Sequence, residues 1–336
     1  MVLAFNAQID GSHPVILDNA ELTARSLTGL DFDGVSAFKA DASLPKTWEA
    51  LTAEGKKVRL APTSSQIDYR NTGLTRHVRM STDLDYDGDI PGGYVKGLNA
   101  KGDLKLTLKG ENLFTEYTPA TDQPITIDRL ENVSDWIAED LSLTLEPSKQ
   151  VYWRNEEGSH VKADIQNVSG SSHHKIDSRA FDFAFEQAAI TGLILEEQQD
   201  WDIAAQNAQM TSETLPSPGT NMRSPDLDMT IAVFVDKPLE FTIDSPVSDV
   251  QTELVDARGL HVKARGTPDH IKVEYDEGEV KFAAGELPVL PLVGDVEFLN
   301  NIWTGSAQTY LPRAEDTPIL VNYKFDDGIG LSLIHI

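Results

Sequence analysis

Four aspartates at alternate positions form the segment whose spacing most resembles a binding motif. They are Asp83, Asp85, Asp87 and Asp89. Alternate carboxylates followed by a glycine open many calcium loops, because Ca²⁺ takes six to eight oxygen ligands and glycine permits a sharp turn. A complete loop of that kind has Glu at its twelfth position, where this sequence has Tyr94, and Pro91 at the ninth position offers no side-chain ligand. The segment therefore predicts either a calcium site or an acidic hairpin turn.

Three histidines lie close together in the sequence, and two of them are adjacent. His173 and His174 follow Gly170 and two serines, while His160 lies further upstream. Zinc sites need three or four ligands that converge on the metal. A histidine pair in such a polar segment predicts an exposed loop with no bound metal.

Recognisable catalytic motifs are missing from the sequence. It has no G-x-S-x-G elbow, no P-loop and no H-E-x-x-H, and it contains no cysteine. Acidic pairs such as Asp135/Glu139 and Asp326/Asp327 have the residue types of a glycosidase, but 54 acidic residues make such pairs inevitable. We predict that the protein is not an enzyme, and we keep a glycan-active enzyme with a carboxylate pair as an alternative.

The elements that carry these residues are predicted to be strands, because the dominant period of the sequence is two. Strict alternation places one face of a sheet against apolar material and the other in water. The alternating apolar residues are Leu104, Leu106 and Leu108; Leu141, Leu143 and Leu145; and Phe181, Phe183 and Phe185. Asp-Gly pairs such as Asp33-Gly34 and Asp87-Gly88 predict hairpin turns between the strands.

The predicted fold class is all-β, an elongated and mostly antiparallel sheet with one or two short helices. The helices are predicted at 44–53 and 132–139. A weak internal repeat accompanies the strands: Gly29, Gly97 and Gly259 are each followed by leucine and precede a strand-like run. Their unequal spacing argues against a solenoid of fixed period.

The sequence predicts two regions, 1–215 and 226–330, separated by a Pro- and Ser-rich segment at 215–225. The last six residues, 331–336, resemble the translation of a transposase-type sequencing adapter and are excluded from the predicted fold. No stretch approaches the ~18 consecutive apolar residues of a membrane span.

The surface is strongly acidic, with 28 Lys+Arg against 54 Asp+Glu and a formal charge of -26. Such a charge repels the phosphates of nucleic acids and the headgroups of anionic membranes, so neither is expected as an electrostatic partner. Apolar residues make up 40% of the chain, which is enough for a sizeable core.

The C-terminal part resembles the YdbH family of the AsmA-like superfamily of Gram-negative envelope proteins. The similarity lies in a W-x-G-x-A strand at Trp303, Gly305 and Ala307, followed by a strand that ends in D-G-x-G at 327–330. The strand around 97–106 is also similar to AsmA-like strands. These segments cover about a tenth of the chain. The sequence departs from the family in being shorter and in having no N-terminal membrane anchor, which truncation at both ends would explain.

The resemblance implies a curved sheet folded into an apolar groove that carries phospholipid between the inner and outer membranes. It places the protein in the periplasm, anchored to the inner membrane through a segment missing here, with phospholipid and other cell-envelope proteins as partners. Some of the family carries a dicarboxylate-transport label, although no carboxylate site is visible. The nine alternating residues above would then line the groove, without a cofactor. The alternative function is an extracellular β-sandwich or adhesin-like binding module that uses the aspartate segment for calcium.

Overall fold

A computed structural model describes most of the chain backbone. The described residues are 2–9, 15–31, 34–43, 48–51, 57–60, 64–71, 75–90, 93–109, 112–120, 123–132, 136–146, 148–155, 158–176, 179–195, 197–212, 219–253, 255–283, 288–300, 302–310, 318–326 and 329–335. Side chains are described from Thr75 onward, except at 80–84, 89–90, 132, 148–155, 158–160, 176, 318, 323 and 325–335.

Strands account for most of the described residues, and no helix occurs among them. This confirms the all-β prediction. The strands are β1 Val2–Ile9, β2 Val15–Asp31, β3 Gly34–Ser43, β4 Trp48–Leu51, β5 Lys57–Leu60, β6 Ser64–Asn71, β7 Thr75–Ile90, β8 Gly93–Lys109, β9 Asn112–Pro119, β10 Ile125–Asn132, β11 Trp136–Thr144, β12 Ser148–Asn155, β13 Gly158–Ile176, β14 Arg179–Ile194, β15 Gln198–Ser212, β16 Thr220–Phe234, β17 Glu240–Gln251, β18 Val255–Thr267, β19 His270–Phe282, β20 Leu290–Leu299, β21 Ile302–Tyr310, β22 Pro318–Asp326 and β23 Ile329–His335.

Both predicted helices are wrong where the structure describes them. Within 44–53, the described residues form β4 and pair with β5. Within 132–139, β10 ends at Asn132 and β11 begins at Trp136, and the two strands pair antiparallel. Arg129 Nη1 lies 2.8 Å from Glu139 Oε1 across this pair. Pairing with a neighbouring strand thus determines the secondary structure of these short segments, because their own helix propensity is weak.

The strands form one antiparallel sheet that does not close. From β16 to β23 each strand pairs with the next one along the chain, as adjacent hairpins do. Longer connections join β3 to β6, β8 to β10 and β9 to β12. The residues 331–335, which sequence analysis set aside, lie in β23 against β22.

Contacts divide the chain into two compact units. The first contains 1–132, 137–170 and 190–198, and the second contains 133–136, 171–189 and 199–336. The predicted linker at 215–225 is shorter than expected, because β16 already begins at Thr220. The remaining part of it, 215–218, lies outside the described residues, and the proposed domain boundary stays a prediction.

In the first unit, β7, β8 and β9 show the predicted alternation clearly. Lys105 Nζ lies 2.6 Å from Glu116 Oε2 on one face, and His77 Nδ1 lies 3.2 Å from Thr107 Oγ1 on the same face. The leucines of β8 lie on the opposite face. These three strands therefore have one mostly polar and one mostly apolar side.

In the second unit, a buried cluster lies on β18, β19 and β20. Its members are Ala257, Leu260, Val262, Val280 and Leu290. Val280 and Leu290 are opposite each other in the register of β19 and β20. Removing this much apolar surface from water contributes the largest favourable term to folding of the unit.

Two members of the weak internal repeat occupy equivalent positions in the structure. Gly97 and Gly259 both have φ of 66°, a left-handed conformation that costs an L-residue energy. The Gly97 N–H donates to Asp87 Oδ1 at 2.5 Å, and the Gly259 N–H donates to Asp249 Oδ1 at 3.0 Å. In both cases the aspartate lies ten residues earlier, on the preceding strand. The repeat is thus a bulged hairpin present twice, once in each unit.

Candidate functional site

The second unit presents a continuous apolar surface across six neighbouring strands, β16 to β21. Residues paired along the sheet form rows, because side chains opposite each other in register share a face. The first row contains Ile231, Phe241, Ile271, Phe298 and Trp303. The second row contains Met229, Ile243, Ala264, Val273 and Val296. We call these two rows the apolar face.

Burial within the apolar face is uneven. Phe298 is only 2% exposed, and its ring centre lies 4.8 Å from that of Trp303. The remaining members of the two rows are half-buried. A third row continues the face on the side of the buried cluster and includes Val262, Tyr275 and Ala307. The face is therefore wide, and it is more deeply buried on one side than on the other.

The opposite side of the same strands is polar and charged. Lys272 Nζ lies 3.3 Å from Glu297 Oε1, and Arg265 Nη2 lies 3.5 Å from Glu274 Oε1. These exposed pairs contribute little to stability, since water screens them. Instead, these charged pairs keep one side of a single-layer sheet hydrated while the other side stays apolar.

The sheet of the second unit bends so that the apolar face lies inside. Arg179 begins β14, and its guanidinium lies 4.0 Å from the centre of the Phe298 ring on β20. Its Nη2 donates to the carbonyl of Pro268 at 3.0 Å, between β18 and β19. Five strands separate β14 from β20, so a flat sheet would place them about 29 Å apart at ~4.8 Å per strand. Only a strongly curved sheet can make this contact.

The three phenylalanines predicted from the sequence lie on β14 beside this contact. Phe181, Phe183 and Phe185 follow Arg179 at alternate positions, so they share its face of the strand. All three are half-buried. The centres of Phe183 and Phe185 lie 5.8 Å apart. The alternation in the sequence therefore correctly predicted that the three aromatic rings share one side of β14. In the structure this is the side that faces Phe298.

The six predicted leucines lie in the first unit. Leu104, Leu106 and Leu108 on β8 are half-buried. On β11, Leu141 and Leu143 are half-buried and pair with Ile127 and Ile125 of β10, while Leu145 just after the strand is 9% exposed. The structure thus groups the predicted residues into two sets, leucines in the first unit and phenylalanines in the second.

The prediction of an exposed histidine loop is wrong. His174 lies within β13, where the indole Nε1 of Trp136 donates to its Nδ1 at 3.0 Å. Its Nε2 lies 2.6 Å from Ser172 Oγ, and its ring stacks on Phe181 with centres 4.8 Å apart. Burial and, to a lesser extent, the nearby His173 together lower the pKa of His174 to about 4, against the opposing effect of Asp182. Polar neighbours in the sequence gave no sign of the aromatic contacts.

The predicted hairpin turn at Asp87-Gly88 is also wrong, because β7 continues to Ile90. The register shifts between Tyr86 and Gly88, so Asp87 marks a bulge inside the strand. Asp85 Oδ1 accepts a hydrogen bond from Asn99 Nδ2, and Asp87 is engaged by Gly97 as described above.

Calcium binding by this segment stays a prediction. The side chains of Asp83 and Asp89 lie outside the described part of the chain. Among the side chains that the structure describes, no group of three or more His, Asp or Glu residues has the arrangement of a metal site.

A shallow depression of about 630 Å³ lies in the second unit, against residues of β15 to β19. Side chains of both charges line it. They include Asp200, Asp202, Glu240, Arg265, His270 and Lys272. Ile231 and Phe241 of the first apolar row also belong to its lining. Its mixed charge selects no single class of ligand.

Comparison with known proteins gives no assignment: no family model matches the sequence, and no curated protein or solved structure matches it. The resemblance to the YdbH family therefore stays a prediction. Among the described residues, no helix has the length and apolar character that a membrane crossing requires.

Proposed function

We propose that this chain is a non-catalytic lipid carrier that holds the acyl chains of phospholipid on the apolar face of its curved sheet. The observation that carries the proposal is the pair of apolar rows on the inside of the bend, with Arg179 reaching Phe298 across it. A surface of this kind takes a flexible apolar ligand without any catalytic group.

The energetics favour such an occupant. Each methylene removed from water contributes roughly 0.8 kcal/mol, so partial coverage of a long acyl chain is sufficient for binding. The half-buried members of the two rows have apolar surface left to cover. Their charged neighbours on the opposite side keep the protein hydrated during transfer.

The setting of this activity follows from the resemblance to AsmA-like proteins. We infer that the chain acts in the periplasm, between the inner and outer membranes, and that other cell-envelope proteins hand over or receive the lipid.

The test is mass spectrometry of lipids extracted from the purified chain, compared between two sets of variants. The first set replaces Ile243, Val273 and Val296 of the second row by threonine together. A buried hydroxyl without compensation costs ~0.5–2 kcal/mol on transfer scales, so bound phospholipid should fall about tenfold or more.

The control set makes the reverse exchange on the polar side, with Thr230 and Thr242 replaced by valine. These two threonines are opposite each other on β16 and β17 and are exposed. Their replacement should leave bound phospholipid unchanged. Purified wild-type protein that carries no lipid, and takes none from phosphatidylcholine vesicles, would show that the proposal is wrong.

A further inference from the structure

One histidine is built into the aromatic contacts that adjoin the apolar face. His174 on β13 lies between Trp136 at the start of β11 and Phe181 on β14. Phe181 shares its face of β14 with Arg179, whose guanidinium contacts Phe298 of the apolar face. We call Trp136, His174 and Phe181 the histidine contact.

Hydrogen-bond chemistry fixes the protonation state of this imidazole. The indole N–H of Trp136 can only donate, so His174 Nδ1 must accept. The single proton of the neutral ring then lies on Nε2, which donates to Ser172 Oγ. An imidazolium has a proton on both nitrogens and accepts nothing. A second proton on Nδ1 would point directly at the indole N–H, and the Trp136–His174 hydrogen bond would be lost.

We propose that the histidine contact is an acid-sensitive switch that loosens the wall of the apolar face when His174 becomes protonated and so releases bound lipid. The proposal rests on the proposed lipid-carrying function for its ligand. Protonation removes the hydrogen bond to Trp136 and places a charge between two aromatic side chains, where burial disfavours it. The strands that meet at this point, β11, β13 and β14, are then no longer held by the ring.

Other charged groups lie near the His174 ring, but none of those that the structure describes takes over its proposed role as the group that responds to pH. On β13 they are His173 and Lys175, and on β14 they are Asp182 and Arg179. His173 Nδ1 lies 2.8 Å from Asp182 Oδ1, so Asp182 is engaged by the neighbouring histidine. Asp182 is exposed and lies on the side of β14 opposite to Phe181. Among the described residues of β13 and β14, no carboxylate therefore lies on the same face as His174 to stabilise a proton on it.

The expected size of the effect follows from linkage. His174 has a pKa of about 4 in the closed contact, against 6.5 for a free histidine. Between these values, the ratio of closed to open protein falls about tenfold for each pH unit. The total change across the interval is about 300-fold.

The experiment uses the whole chain loaded from phosphatidylcholine vesicles that carry a pyrene-labelled acyl chain. Bound label is measured from pH 7 to pH 3.5. In parallel, the protein labelled with 5-fluorotryptophan is followed by ¹⁹F NMR, with the Trp136 resonance assigned by Trp136→Phe. The comparison variant is His174→Gln, whose amide can accept from Trp136 and donate to Ser172 but does not titrate. An Asp182→Asn variant removes the neighbouring carboxylate.

Wild type and Asp182→Asn should release the label as the pH falls, with a matching shift of the Trp136 resonance. His174→Gln should retain the label at least tenfold better at pH 4 and show no such shift. Equal release by wild type and His174→Gln, or an unchanged Trp136 resonance, would overturn the switch. Failure to load lipid at pH 7 would instead contradict the proposed function, and the Trp136 titration would still decide whether the switch exists.

Discussion

Arg179 and Phe298 are in direct contact although five strands separate β14 from β20. The guanidinium lies 4.0 Å from the ring centre, and Arg179 is only 7% exposed. A cation over an aromatic face is attracted by the ring quadrupole, and the attraction grows when water is excluded. This pair therefore stabilises the bend of the sheet as well as the local packing.

Replacing Arg179 by alanine should destabilise the second unit by about 3 kcal/mol, because both the ring contact and the hydrogen bond to the Pro268 carbonyl are lost. Urea unfolding followed by tryptophan fluorescence measures the change. Arg258→Ala is the control, since that guanidinium is exposed and pairs with Asp256 on its own strand. Equal effects of the two replacements would contradict a structural role for the Arg179 contact.

The two aspartate–glycine bulges allow the same replacement to be tested in two environments. Asp87→Ala should cost about 2 kcal/mol and Asp249→Ala about 1 kcal/mol, because Asp87 is 7% exposed whereas Asp249 is exposed. The free energy of unfolding of each variant measures the difference. Asp228→Ala, an exposed aspartate of β16, serves as the control. A larger loss at Asp249 than at Asp87 would argue against equivalent roles for the two bulges.

Alternation in the sequence was sufficient to predict the strands and their apolar sides. Phe181, Phe183 and Phe185 were predicted to share one face, and they do. The period of two fixes only which side a residue occupies. It does not fix curvature, so the approach of Arg179 to Phe298 had no sequence signal.

Bulges explain several of the errors. Asp87-Gly88 has the composition of a tight turn, yet the strand continues through it because the extra residue is absorbed as a bulge. A second bulge lies in β17, where the register shifts between Ser245 and Ser248. Pro246 marks its position, since proline within a strand is confined to edges and bulges. That proline is therefore a signal for the bulge that is present in the sequence itself.

Calcium gives a direct test of the alternative binding function. We expect no rise in melting temperature with millimolar calcium, because Asp85 and Asp87 are engaged by Asn99 and Gly97 within a paired strand. Binding would have to break these contacts before the carboxylates could converge on one ion. Calorimetry with calcium and with a chelator measures the shift. A calcium-dependent rise that Asp85→Ala abolishes would favour the calcium-binding module instead.

The stability of the chain should depend on pH through His174 in a defined direction. The pKa of His174 is lowered to about 4 in the folded protein, chiefly by burial, and returns to about 6.5 on unfolding. Between these values the unfolded chain binds the proton more readily, so stability decreases as the pH falls. The contribution is complete above pH 6.5 and is lost by pH 4. Its size is at most about 3 kcal/mol.

Carboxylates also titrate near pH 4, so the measurement must be a difference between variants. The free energy of unfolding of His174→Gln minus that of wild type should increase steadily from pH 6.5 to pH 4 and then level off. His77→Gln is the matched control, because His77 lies on β7 in the first unit and bonds only a threonine hydroxyl in the described contacts. A difference for His174→Gln that stays constant with pH would mean that this imidazole is not held neutral by its aromatic neighbours.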